Sequence, residues 1–147
     1  MDRLNKFIAL TSTERRLLVR TALLLYGMWF AFLLLPFPTL RRAIARLTPA
    51  NGRLLRPSPT YIETVVRAVA TASRYVPSAT CLIQSLVAKI LLARYGHLSN
   101  LHIGVVKGKK GEFQAHAWLE CAGRIVIGDS GDLSRYTLLP SIDSETQ

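Results

Sequence analysis

Apolar residues run almost without interruption from Ala22 to Leu35, then recur at helical spacing, and finally alternate as they do in strands. Residues 13–35 read as one long helix, stopped where Leu35-Pro36-Phe37-Pro38 puts two prolines in its path. A short basic helix is predicted over 39–47. From 48 to 59, three prolines and a glycine mark a linker. Ser58 at an N-cap and Pro59 at the first helical position then open a third helix. Its apolar stripe is Ile62, Val65, Val66 and Val69, and Tyr75-Val76-Pro77 ends it. A fourth helix opens at Ser78 or Thr80 and runs to Gly96, a C-terminal cap glycine. Three strand-like runs follow at 101–107, 112–121 and 124–128, separated by Gly108-Lys109-Lys110-Gly111 and Ala122-Gly123. Helices first and an antiparallel meander afterwards predict an α+β fold.

Charge divides the chain in two. Residues 1–56 carry ten Lys/Arg against two Asp/Glu, whereas residues 57–147 carry nine against seven. The division is therefore a basic, apolar N-terminal helical region over 1–56 and a nearly balanced domain over 57–147. A basic segment suits an acidic partner or anionic lipid. Nucleic acid is set aside, because Trp29 and Phe30 sit inside the apolar run and do not alternate with basic residues. The uncharged stretch between Arg20 and Arg41 approaches the ~20 residues that span a bilayer, but the prolines leave about 16 in the helix. Basic residues flank both ends, so the positive-inside rule gives no orientation. A buried or partner-covered helix is the favoured reading, with membrane contact through 21–37 as the alternative. No cleavable signal pattern is present, and two cysteines make no disulfide framework; a reducing cytoplasm fits both.

Cys81 falls in the first turn of the fourth helix. The free N–H groups and the positive end of the helix dipole there favour a thiolate and could bind an oxyanion. The hairpin supplies candidate partners. If Ala122-Gly123 is a two-residue turn, Cys121 pairs with Arg124, and counting back along both strands sets His116 opposite Asp129. Directly opposed Cβ atoms lie about 4.5–5.5 Å apart, within reach of an imidazole–carboxylate hydrogen bond. That register puts His116, Trp118 and Glu120 on one face with Ile125 and Ile127. The division of labour is nucleophile, base and orienter: Cys81 attacks a carbonyl, His116 takes its proton, and Asp129 fixes the imidazole. Asp132 is the alternative third member. Alanine at the first turn position is unfavourable where φ must be positive, and a wider turn would shift the pairing.

Cys81-Leu82 with Ser85, Leu91-Leu92, Tyr95-Gly96, 101–105 as Leu-His-Ile-Gly-Val, and 116–120 as His-Ala-Trp-Leu-Glu, with Gly123 and Asp129 behind, resemble the protease component of lasso-peptide biosynthesis. That family is a branch of the transglutaminase-like cysteine proteases, and the resemblance covers roughly residues 60–140. It implies a papain/transglutaminase-like core, in which a nucleophile-bearing helix packs on an antiparallel sheet. Position by position, Cys81, His116 and Asp129 match the family's nucleophile, base and acid. The implied activity is removal of the leader from a ribosomally made precursor peptide, without a cofactor, before a separate lasso cyclase closes the ring. The alternatives are transglutaminase-like acyl transfer to an amine and a non-enzymatic membrane or scaffold subunit of a peptide-maturation complex. Nothing before Ser58 looks like the family's leader-recognition module, which implies a separate leader-recognition protein. Gln84 departs from the basic residue expected there, and Ala122 from a turn-former.

The remaining chemistry-bearing residues receive plainer readings. Cys121 has the opposite strand parity to His116 and reads as a small buried hydrophobe. His102 reads as structural and His97, after the cap glycine, as solvated. Trp118 either shields the histidine or packs in the core. Lys109 and Lys110 form a solvated turn. No Cys-x-x-Cys or His-x-x-x-His pair occurs, so no metal site is expected.

Overall fold

A computed structural model of the chain describes Asn5, residues 8–48 and residues 58–140; the linker expected over 48–59 lies outside these apart from its ends. Helix α1 (Ser12–Leu34) starts at a capping box: the Thr11 hydroxyl accepts from Glu14 N at 3.3 Å, and the Glu14 carboxylate accepts from Thr11 N at 3.0 Å. Leu35-Pro36 ends it, and Pro36 caps α2 (Phe37–Leu47). Helix α3 (Pro59–Ser73) has Ser58 as its N-cap, its hydroxyl accepting from Tyr61 N at 3.4 Å. Helix α4 (Cys81–Arg94) has Thr80 as its N-cap. The strands are β1 (Ser99–Lys107), β2 (Phe113–Cys121), β3 (Arg124–Ile127) and a two-residue β4 (Thr137–Leu138). They form one antiparallel sheet in the order β3-β2-β1-β4. The α+β expectation holds, with β4 as an addition.

The core sits between the helices and one face of the sheet. Ile62, Val65 and Val69 of α3 and Leu86, Ile90 and Leu91 of α4 are buried with Leu101, Ala117, Leu119 and Cys121 from the strands. Alternation along β2 therefore turns Ala117, Leu119 and Cys121 toward the helices, and His116, Trp118 and Glu120 to the other face. Helix α1 joins this core through one side only. Leu25 and Met28 are buried in it, Thr21 satisfies its buried hydroxyl on Leu17 O at 2.7 Å, and Tyr26 Oη donates to Tyr75 O at 2.8 Å. Leu40 and Ile44 bring α2 into the same cluster.

The β2–β3 hairpin corrects the expected register. Cys121 does face Arg124 and Glu120 faces Ile125, but Leu119 faces Ile127, so Val126 is an extra residue in a bulge. A one-residue slip reverses facing, and Ile127 joins the core beside Leu119 instead of sharing the face of His116. The turn itself is as tight as expected, with Ala122 at φ 52° and Gly123 at φ 74°. His97 also differs from its solvated expectation, being only 5% exposed. Its N–H caps α4 on Leu92 O at 3.0 Å, which folds the ring back onto Tyr61 of α3, centroids 5.4 Å apart and stacked.

Candidate active site

Cys81 is the first residue of α4, and local interactions hold that helix start. Thr80 Oγ1 accepts from Ile83 N at 3.4 Å, and Gln84 Nε2 donates to Ala79 O at 2.7 Å, tying the incoming chain to the first turn. Gln84, which departs from the expected basic residue, thus serves to fix the approach to Cys81. The N–H groups of Cys81 and Leu82 precede the first acceptor inside the helix, so they are available to a negatively charged group. The thiol is partly buried against the core cluster.

The helix length sets where Cys81 lies along the sheet. Fourteen residues of α4 span about 20 Å at ~1.5 Å each. The chain reverses at Gly96, φ 75°, and β1 returns along the helix; at ~3.3 Å per residue it needs about six residues from Ser99 to cover that length. Ideal lengths set Cys81 level with Gly104 and Val105 along the sheet, and Gly104 pairs with His116, whose side chain is on the face turned from the helices.

His116 is held from three directions. Its Nε2 donates to Gly128 O at 2.6 Å; because a carbonyl only accepts, this bond sets the proton on Nε2 and leaves Nδ1 as an acceptor. Trp118 stacks against the ring at 6.1 Å between centroids, and Tyr136 lies at 5.5 Å. Trp118 in turn stacks on His102 at 5.7 Å, and His102 Nε2 lies 3.2 Å from a Glu120 carboxylate oxygen. A continuous band of rings thus covers this face from β1 to the segment leading into β4. Gly104 makes room for it: a Cβ there would stand 2.7 Å from Tyr136 Cβ and 3.1 Å from the Trp118 ring.

The carboxylates stand close by in the chain but are turned elsewhere. Asp129 Oδ1 accepts from Gly131 N at 2.9 Å, and Asp132 Oδ1 accepts from Ser134 Oγ at 2.7 Å. Continued past the bulge, the register sets Asp129 alongside Ala117 instead of His116. Among the described residues no hydrogen bond joins Cys81 to His116 or His116 to Asp129. In this arrangement the group that orients the imidazole is the main-chain carbonyl of Gly128, one residue before Asp129. Sequence reasoning missed Gly128 and Tyr136 in this role. Gly128 gave no side-chain signal, while Tyr136 carried one only as an aromatic following the Gly-Asp-rich loop.

Cys121 lies on the helix-facing side, its thiol 3.4 Å from Leu98 O as a donor. Burial pushes that thiol's pKa up, with Arg124 opposing more weakly. Cys121 therefore behaves as the small buried hydrophobe its parity suggested, on the face opposite His116.

No curated protein and no solved structure matches the chain. A family model does, that of the transglutaminase-like superfamily, over residues 28–141. The match begins inside α1 and takes in α2, both core helices and the whole sheet. The superfamily's enzymes are typically cysteine peptidases or acyl transferases. With the match covering most of its length, the chain belongs to the transglutaminase-like superfamily.

Proposed function

We propose that the protein is a cysteine peptidase that removes the leader from a ribosomally made lasso-peptide precursor, with Cys81 as nucleophile, His116 as base and Asp129 as the acid beside it. The observation that carries the reading is the state of His116: Nε2–H is committed to Gly128 O, which leaves Nδ1 as the acceptor a thiol proton would need, while Cys81 opens the helix packed on the same sheet. The 116–120 segment supports the narrower assignment through its resemblance to lasso-peptide proteases.

Cys81 Sγ adds to the scissile carbonyl as its proton passes to His116 Nδ1, and the oxyanion accepts from the N–H groups of Cys81 and Leu82. Collapse of the tetrahedral intermediate breaks the C–N bond, and His116 returns the proton to the departing amine. The leader is left as a thioester on Cys81. A water, deprotonated by His116, then adds to the thioester and releases the leader acid and the thiol. Asp129, adjacent to the carbonyl that holds the ring, favours the imidazolium formed in both halves of the cycle. The precursor is delivered by a separate leader-recognition protein, and the product passes to a lasso cyclase.

The test is co-expression with a lasso-peptide precursor and a leader-recognition protein, read by mass spectrometry. Wild type should yield leader and core peptides with a free leader carboxylate, and Cys81→Ala only intact precursor. Processing retained in Cys81→Ala would overturn the proposal. A leader mass showing an amide in place of the acid would assign acyl transfer instead.

A further inference from the structure

We propose that the outward face of α1 is a docking surface for an anionic phospholipid bilayer, on which the folded domain lies without spanning the membrane. The inference does not depend on the reaction at Cys81.

Helix α1 is two-sided in an unusual sense, because both sides are apolar. Thr21, Leu25 and Met28 point into the core. On the opposite side Val19, Leu23, Phe30, Leu33 and Leu34 recur at helical spacing and form one exposed stripe, with Leu23, Leu33 and Leu34 each about two-thirds or more exposed (68%, 67% and 73%). From Val19 to Leu34 the only charge on the helix is Arg20. A contiguous exposed patch of this kind marks an interaction site.

The charges around the stripe identify the occupant. Arg16 and Arg20 are exposed where the stripe begins, and Arg42 and Arg46 are exposed on α2 beyond its end. The acid on these two helices is Glu14, which is engaged in the N-terminal capping box. Protein interfaces carry polar rims in which charges of the partner are matched individually. An apolar stripe with a rim of one sign, positive at both ends, matches a surface that is uniformly anionic over an apolar interior. The stripe extends about 24 Å at ~1.5 Å per residue, short of the ~30 Å hydrocarbon thickness, and crossing would strip Leu25 and Met28 from the core. The helix therefore lies in the plane of the interface, with Phe30 at headgroup depth and the arginines among the phosphates.

The experiment uses the full chain with sedimented vesicles of phosphatidylcholine alone or mixed with phosphatidylglycerol. Binding should be at least tenfold stronger to the mixed vesicles and should fall as salt rises. The double variant Leu23→Glu/Phe30→Glu should lose vesicle binding while keeping its circular dichroism spectrum and melting temperature, because both side chains are exposed. Arg16→Gln/Arg20→Gln keeps the stripe intact and should bind mixed vesicles roughly 25-fold more weakly, about fivefold per arginine. Equal binding to both vesicle types, or binding to neither, would overturn the proposal. So would a dimer or a complex with another protein that Leu23→Glu/Phe30→Glu dissociates, since that would assign the face to a protein interface.

Discussion

Gly128 carries the carbonyl that orients His116, and its replacement by alanine offers a test whose size follows from the structure. Gly128 has φ 80°, and a Cβ built on it would run into the Ala117 carbonyl oxygen, with Trp118 Cα at 3.0 Å. Gly123 is the matched control, with φ 74° and nothing within 4 Å of an added Cβ. Both substitutions incur left-handed strain of about 1–2 kcal/mol and recover about 0.4–1 kcal/mol from a stiffer unfolded chain. Gly123→Ala should therefore cost roughly 0–1.6 kcal/mol. At Gly128 the backbone must also separate, an overpacking cost of about 1–3 kcal/mol, for a total of roughly 1–4.6 kcal/mol. Urea unfolding of the two variants beside wild type measures the difference, in which the strain and entropy contributions cancel. Gly128→Ala should in addition displace the acceptor of His116 Nε2–H and slow turnover beyond the effect of Gly123→Ala. If the two variants unfold within 0.5 kcal/mol of each other, an order set by ordinary measurement scatter, the close approach of Gly128 to β2 is wrong.

Three further outcomes follow from the same structure. Ala122 occupies a left-handed position at φ 52° before Gly123, so Ala122→Asn, giving the preferred Asn-Gly turn, should raise stability by about 0.5–1 kcal/mol in urea unfolding. Tyr136→Leu should slow turnover with little change in melting temperature, because the partly buried ring abuts His116, whereas Tyr136→Phe should preserve both. Cys121, its thiol pKa raised by burial, should favour the folded state fully below the unfolded thiol's value near 9.0 and lose that contribution as pH rises through the folded value. A Cys121→Ser variant compared with wild type across this alkaline range should show a flatter stability profile.

Much of the fold could be read from local chemistry because the relevant signals are local. Ser58-Pro59, Thr80 before the apolar helix and Gly96 after it are stop and start signals acting within one turn, and each sits where expected. The hairpin turn was legible for the same reason. Its bulge was not: 125–127 is Ile-Val-Ile, and an apolar run without alternation does not specify which residues face the core. Only the packing of Ile127 beside Leu119 and of Gly128 against β2 decides it. The same slip moved the predicted opposition of His116 and Asp129 by one residue and brought a main-chain carbonyl to the ring instead. His97 was misread because a residue after a cap glycine has no local pattern, and only the nearness of Tyr61, 36 residues earlier, buries it. The outward stripe of α1 was hidden within a run so uniformly apolar that no periodicity separated its two sides.

The central claim is that Cys81 is a nucleophile activated by His116, and the most direct measurement needs no substrate. Iodoacetamide labelling of the full chain at about pH 6.5, where an ordinary thiol is largely protonated, can be followed at Cys81 and Cys121 separately by peptide mass spectrometry. Cys81 should label faster than a free-thiol reference and much faster than Cys121, and His116→Gln should remove that advantage while Gln114→Ala, two residues along the same strand, does not. Labelling of Cys81 no faster than the reference, or a rate unchanged in His116→Gln, would contradict the account.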